Sequence, residues 1–71
     1  MAIETFTFPG SSNLASGSYD DETEMLEITF RSGETYEGKV PQGVVAGLRA
    51  APSAGSYYFR QIRGRYAMTP T

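Results

Sequence analysis

Met25-Leu-Glu-Ile-Thr-Phe-Arg-Ser-Gly-Glu-Thr-Tyr-Glu-Gly-Lys-Val40 decides how this chain folds. Leu26, Ile28 and Phe30 alternate with Glu27, Thr29 and Arg31, the two-residue period of a strand with one buried face. Ser32-Gly33 supplies a short turn, because glycine reaches positive φ without strain. Glu34 to Val40 runs back as the partner strand, carrying Tyr36 and Val40. Gly38 interrupts it and marks a bulge or a close backbone approach. A lone hairpin is marginally stable at best. The flanking segments must therefore cover its apolar face.

Upstream, Asp20-Asp21-Glu22-Thr23-Glu24 reads as a solvated turn, since it lacks the glycine and distal glutamate of a calcium loop. Leu14 to Tyr19 reads as a further strand. Residues 1–10 form an N-terminal arm or edge strand. Phe6 and Phe8 share one face of it and cover core or interface, and Pro9-Gly10 ends it.

Downstream, Pro41 suits the first turn of a helix. Val44, Val45 and Leu48 follow at helical spacing, and Pro52 stops it. Gly43 and Gly47 weaken this helix, each by up to ~1 kcal/mol relative to alanine. They are expected to let it pack closely on the sheet. Ser53 caps a second helix. There Tyr58, Phe59, Ile62 and Tyr66 make one apolar stripe, Arg60 and Arg63 share another face, and Tyr57 lies alongside Arg60. Gly64 ends it, and residues 67–71 read as a frayed C-terminal tail. The expected class is α+β: a small three- to four-stranded antiparallel sheet with two short helices packed on one face.

The chain has 71 residues and no cysteine or histidine. One small core is all it can bury, and such a core rarely supplies more than ~3–5 kcal/mol. No disulfide can add to it, so a homo-oligomer is expected. The formal net charge is −2 and the pI about 4.9. That balance argues against non-specific binding to long nucleic acid, which calls for a basic face. The N-terminus has no basic start or long apolar run, so no signal peptide is expected. No segment approaches the ~20 apolar residues of a membrane span. A cytoplasmic protein with no membrane partner is the expectation.

Chemistry that needs His or Cys is excluded. Lys39 is the only lysine, no phosphate-loop spacing occurs, and the acidic turn gives no reason for a raised carboxylate pKa. A non-enzymatic protein without cofactor or metal follows. What remains is Ser53 to Tyr66, which holds Arg60, Arg63 and Arg65. In a purely structural reading its rings are core and its arginines a solvated face that complements the helix dipole. In a binding reading, Arg60, Arg63 and Arg65 meet phosphates, Tyr57 and Tyr66 stack on bases, and Ser53 and Ser56 donate hydrogen bonds. Tyr36 of the hairpin joins them.

Ser11-Ser12-Asn13-Leu14, Tyr19-Asp20, Leu26-Glu-Ile-Thr-Phe30, Ser32-Gly33, Tyr36, Val40-Pro41, Leu48, Ala51-Pro-Ser53, Gly55, Tyr57-Tyr58 and Ile62-Arg63-Gly64 fall in order. Over residues 11–66 this series resembles the KTSC domain family. That family is a short module found alone in bacteria and phages and at the C-terminus of some lysyl-tRNA synthetases. The chain departs from it at Gly38, where the family's Tyr-x-Tyr has its second tyrosine, and at Phe59, where asparagine is common. The resemblance implies an α+β layout and, through the synthetase, RNA binding. Joined to the acidic charge and the Arg/Tyr cluster, it gives the leading expectation. This is a phage-type, anti-defence sponge that sequesters a nucleotide or other small anionic ligand, such as a cyclic oligonucleotide immune signal. The alternatives are an RNA-binding domain that takes short RNA, and a protein–protein adaptor or inhibitor of a host protein.

Overall fold

The computed structural model describes residues 3–71, so Met1 and Ala2 of the expected arm lie outside the described residues. Five strands follow the chain: β1 (Ile3–Thr7), β2 (Leu14–Asp20), β3 (Met25–Phe30), β4 (Thr35–Lys39) and, at the far end, β5 (Thr69–Pro70). Between β4 and β5 lie α1 (Gln42–Ala50) and α2 (Ala54–Tyr57), and α2 runs on without a break as a π-helical segment, Tyr58–Arg63. The sheet order is β1-β2-β3-β4-β5, and each neighbouring pair is antiparallel.

The β3–β4 hairpin forms as the alternation requires. Gly33 takes φ 98°, and the Phe30 N–H donates to the Glu34 carbonyl at 2.8 Å. Leu26 and Ile28 are fully buried while Met25 and Glu27 are exposed. Leu14, Tyr19, Leu26 and Ile28 of the sheet and Val40 just after β4 join Val45, Leu48, Tyr58 and Ile62 of the helices in one cluster, so both helices cover the same face. Phe8 is buried with them, and Phe6 packs against their edge. The buried Tyr19 hydroxyl donates to the Val40 carbonyl at 2.8 Å. Burial pushes its pKa up, and Glu24, Asp21 and Asp20 add to the rise.

Four expectations change. The sheet has five strands rather than three or four, because both chain ends pair. The 67–71 segment is not frayed: Glu37 pairs with Thr69, and the Thr71 N–H donates to the Thr35 carbonyl at 2.9 Å. Gly38 makes this possible, since a Cβ there would sit 2.5 Å from the Ala67 carbonyl oxygen and 2.5 Å from the Met68 sulfur. Gly47 gives close packing not to the sheet but to the Tyr57 phenol, which occupies the space its Cβ would need; Gly43 faces open space. Finally, the second helix widens after Tyr57. Bonds from i to i+5 replace the i to i+4 ladder, which changes the faces on which Arg60 and Arg63 emerge. Among the described residues no helix is long and apolar enough to cross a membrane.

Candidate functional site

Two hollows lie at the two ends of the second helix. One, of about 430 Å³, is bounded by residues 7–13, Arg49 and residues 51–56. The Ser11, Ser53 and Arg49 side chains are committed, while those of Thr7, Ser12, Asn13 and Ser56 make no hydrogen bond among the described residues. Ser11 Oγ accepts from the Asn13 and Leu14 N–H groups at 3.2 and 3.0 Å. Ser53 Oγ accepts from the Ser56 N–H at 3.4 Å. Arg31 clamps the loop from behind, donating to the Ser11 and Phe8 carbonyls at 2.6 and 2.9 Å. Arg49 pairs with Glu4 at 3.4 Å and lies 4.8 Å from the centre of the Phe6 ring.

The other hollow, of about 420 Å³, is lined by Phe30, Glu34, Tyr36, Tyr58, Phe59, Arg63 and Met68. Strand alternation places Glu34 and Tyr36 on one face of their chain segment. The hairpin turn sets Glu34 opposite Phe30. The π-helical segment brings Tyr58, Phe59 and Arg63 to the facing wall, and Met68 closes the side that Gly38 leaves open. The rings touch edge to face. Phe30 lies 5.7 Å from Tyr36 and 5.5 Å from Tyr58, and Tyr58 lies 5.6 Å from Phe59. The Arg63 guanidinium sits 5.4 Å from the centre of the Phe59 ring, a favourable cation–π distance. Phe59 itself is 40% exposed, off the buried stripe expected for it.

Tyr58 is the unusual member. It is 1% exposed, yet its hydroxyl has no hydrogen-bond partner among the described residues. No side-chain oxygen there is both buried and unpaired. The little surface Tyr58 keeps is therefore at its hydroxyl, in the wall of this hollow. Burial pushes its pKa up, the nearby Arg63 guanidinium opposes the rise, and the Tyr36 phenol adds to it. The hydroxyl thus stays protonated, able to donate or accept.

The expected site residues divide between these places. Tyr36 and Arg63 meet in the aromatic hollow, while Ser53 and Ser56 line the polar one. Tyr57 turns away from Arg60 and donates from its hydroxyl to the Val44 carbonyl at 3.0 Å. Tyr66 is packed partly against the core. Arg60 and Arg65 are exposed and make no ion pair among the described residues, and they line neither hollow. Phe30, Glu34, Tyr58, Phe59 and Met68 were missed as site residues. For Phe30 and Glu34 the signal was present in the period-two pattern of the hairpin. For Met68 the signal was Gly38, whose missing side chain leaves room for a neighbour.

The KTSC domain model matches residues 10–66. This chain belongs to the KTSC domain family. A 59-residue stretch is 39% identical to the lysine–tRNA ligase of Nostoc punctiforme and 37% identical to that of Trichormus variabilis, covering 82% of this chain in each case. The chain spans only 10% of the length of those ligases. The crystal structure of a KTSC domain protein from Yersinia pestis is similar over 99% of both chains, with 30% identity and a TM-score of 0.88. In this KTSC domain the segment after the helices therefore lies beside Gly38 and forms one wall of the aromatic hollow.

Proposed function

We propose that this KTSC domain is a non-enzymatic module that binds a nucleotide unit in the aromatic hollow. The observation that carries the reading is the meeting of Tyr36, Phe59 and Arg63, distant in sequence, around a space of about 420 Å³. Pockets of roughly 300–1,000 Å³ suit small organic ligands. A planar base has ring faces to stack on there, with stacking worth about 1–3 kcal/mol per base. The Arg63 fork meets the phosphate. The π-helical turn that delivers Phe59 and Arg63 is a feature that recurs at functional sites. Without His or Cys the chain lacks the commonest catalytic groups, which favours holding the ligand over converting it and makes sequestration of a small nucleotide the role proposed.

A second reading, RNA binding, has its own support. The relatives of this chain include lysine–tRNA ligases, and Arg60 and Arg65, exposed outside the hollow and without an ion pair among the described residues, are available to phosphates on either side of a bound base.

The test is calorimetric titration of the intact domain with mononucleotides, cyclic dinucleotides and short RNAs, repeated at several salt concentrations. A pocketed nucleotide loses little affinity as salt rises, whereas a strand contacting several phosphates loses it steeply through counterion release. Replacement of Arg63 by alanine is expected to weaken either ligand. If no nucleotide or RNA binds, or if Arg63→Ala leaves binding intact, the reading is wrong.

A further inference from the structure

The aromatic hollow carries one acid and one base on opposing elements. Glu34 lies at the entry to β4, and Arg63 lies on the π-helical segment. They do not pair with each other; among the described residues the Glu34 carboxylate accepts only from the Ser32 hydroxyl, at 3.4 Å. A hollow with two opposite charges that form no ion pair among the described residues fits a ligand of matching polarity, anionic at one end and rich in donors at the other. The Tyr58 hydroxyl, the one part of that side chain to reach the surface and without a partner among the described residues, adds a polar group between aromatic walls.

We infer that this hollow selects a guanine nucleotide, with Glu34 reading the base and Arg63 holding the phosphate. The inference rests on the nucleotide reading above and narrows it. An ionised carboxylate only accepts hydrogen bonds. Guanine presents two adjacent donors, N1–H and the 2-amino group, that such a carboxylate takes together. Adenine sets an acceptor, N1, beside its single amino group, and cytosine does the same at N3. Uracil flanks its one donor with two carbonyl oxygens. Each of the three therefore turns a lone pair towards Glu34. The Tyr58 hydroxyl supplies a donor for the 6-keto oxygen, next to N1 on the same edge. Glu34 also repels a phosphate, which fixes the ligand's orientation with the phosphate towards Arg63.

The experiment titrates the wild-type domain with GMP, AMP and the guanine- and adenine-centred forms of one RNA trinucleotide, read by tyrosine fluorescence. A bidentate base contact is worth about 1–3 kcal/mol of discrimination, so GMP is expected to bind about tenfold tighter than AMP, or more. Glu34 is exposed, so Glu34→Gln is expected to fold normally, with an unchanged melting curve. Its amide can accept from one donor but opposes the other, which brings the GMP-to-AMP ratio close to one. Tyr58→Phe is expected to weaken GMP more than AMP. Tighter binding of the guanine trinucleotide than of GMP makes the source a strand, and the reverse makes it the free nucleotide; both carry the inference. Equal affinities for GMP and AMP in the wild type, or a preference that survives Glu34→Gln, overturn the base-reading role while nucleotide binding stands. Binding of none of the four overturns both.

Discussion

The two hollows at the ends of the second helix are nearly equal in volume, about 430 and about 420 Å³, and opposite in character. In the polar one Ser11 and Ser53 accept from nearby backbone and Arg49 is tied to Glu4 and Phe6, while the Thr7, Ser12, Asn13 and Ser56 side chains make no hydrogen bond among the described residues. The aromatic one is lined by rings and by one acid and one base that form no ion pair with each other; the Tyr36 and Tyr58 hydroxyls make no hydrogen bond among the described residues, Glu34 accepts from Ser32, and Arg63 lies over Phe59. Volume does not separate a structural crevice from a binding site here. The character of the lining does: the aromatic hollow offers ring faces beside an acid and a base that form no ion pair with each other, whereas the arginine of the polar hollow is already tied to Glu4 and that hollow offers no aromatic wall beyond Phe8.

The sharpest way to break this contrast is to destroy one hollow and leave the other. Gly38→Ala puts a methyl against the Ala67 carbonyl, a backbone atom that cannot swing aside, and against Met68. Overpacking of this kind costs about 1–3 kcal/mol. The expected outcome is release of β5, loss of amide protection at Thr71 in hydrogen exchange, and loss of nucleotide binding. The Ser11 and Ser53 contacts should persist. A variant that keeps Thr71 protected would show that the C-terminal segment does not depend on the gap at Gly38.

Next come the two arginines. Arg63→Ala removes a charge-assisted contact worth about 1.5–3 kcal/mol, so nucleotide affinity is expected to fall about tenfold or more with little change in the melting temperature. Arg49→Ala is the control. It removes an exposed ion pair worth about 0–1 kcal/mol and leaves binding alone. Equal effects of the two variants on titration would erase the functional difference between the hollows.

This contrast also explains what the sequence disclosed. The alternation of Leu26, Ile28 and Phe30, the turn at Gly33 and the cap at Ser53 are local signals, and each appears where expected. The grouping of Ser53 to Tyr66 into one site did not survive, because nearness along a helix is not nearness in space. The α2 start faces the polar hollow, and its π-helical end faces the aromatic one. Tyr57 was spent on packing against Gly47, a tertiary match with no local signature. The fifth strand was unreadable for the same reason. Thr69–Pro70 has no strand pattern of its own and pairs only because β4 offers an edge and Gly38 offers room.

A finer distinction lies among the tyrosines. The Tyr57 hydroxyl donates to the Val44 carbonyl, while the Tyr58 hydroxyl donates to nothing among the described residues. Tyr57→Phe is expected to cost about 0.5–1.5 kcal/mol in urea unfolding, and Tyr58→Phe close to nothing. If Tyr58→Phe proves as costly as Tyr57→Phe, its hydroxyl is bonded within the fold and the hollow loses its most telling group.

The smallest effect expected is alkaline. Tyr19 and Tyr58 both have pKa values raised in the folded state, chiefly by burial. A raised value means that the folded protein holds its proton more tightly than the unfolded chain, whose tyrosines titrate near pH ~10. The resulting stability is complete below that pH and drains away as pH climbs through the folded-state values. Unfolding free energy should therefore be insensitive to these groups up to about pH 10 and decline above it. Phenolate absorbance should show two of the five tyrosines ionising late. At Tyr58 the Arg63 guanidinium works against the rise, so Arg63→Ala should delay its ionisation further, and an anion bound at Arg63 should do the same by cancelling the charge. Tyr19, governed by burial and by Glu24, Asp21 and Asp20, should ignore both changes. A ligand that shifts one late phenol and not the other would place its negative charge beside Arg63. One that shifts neither would leave the aromatic hollow no better than the polar one as the place where this domain meets an anion.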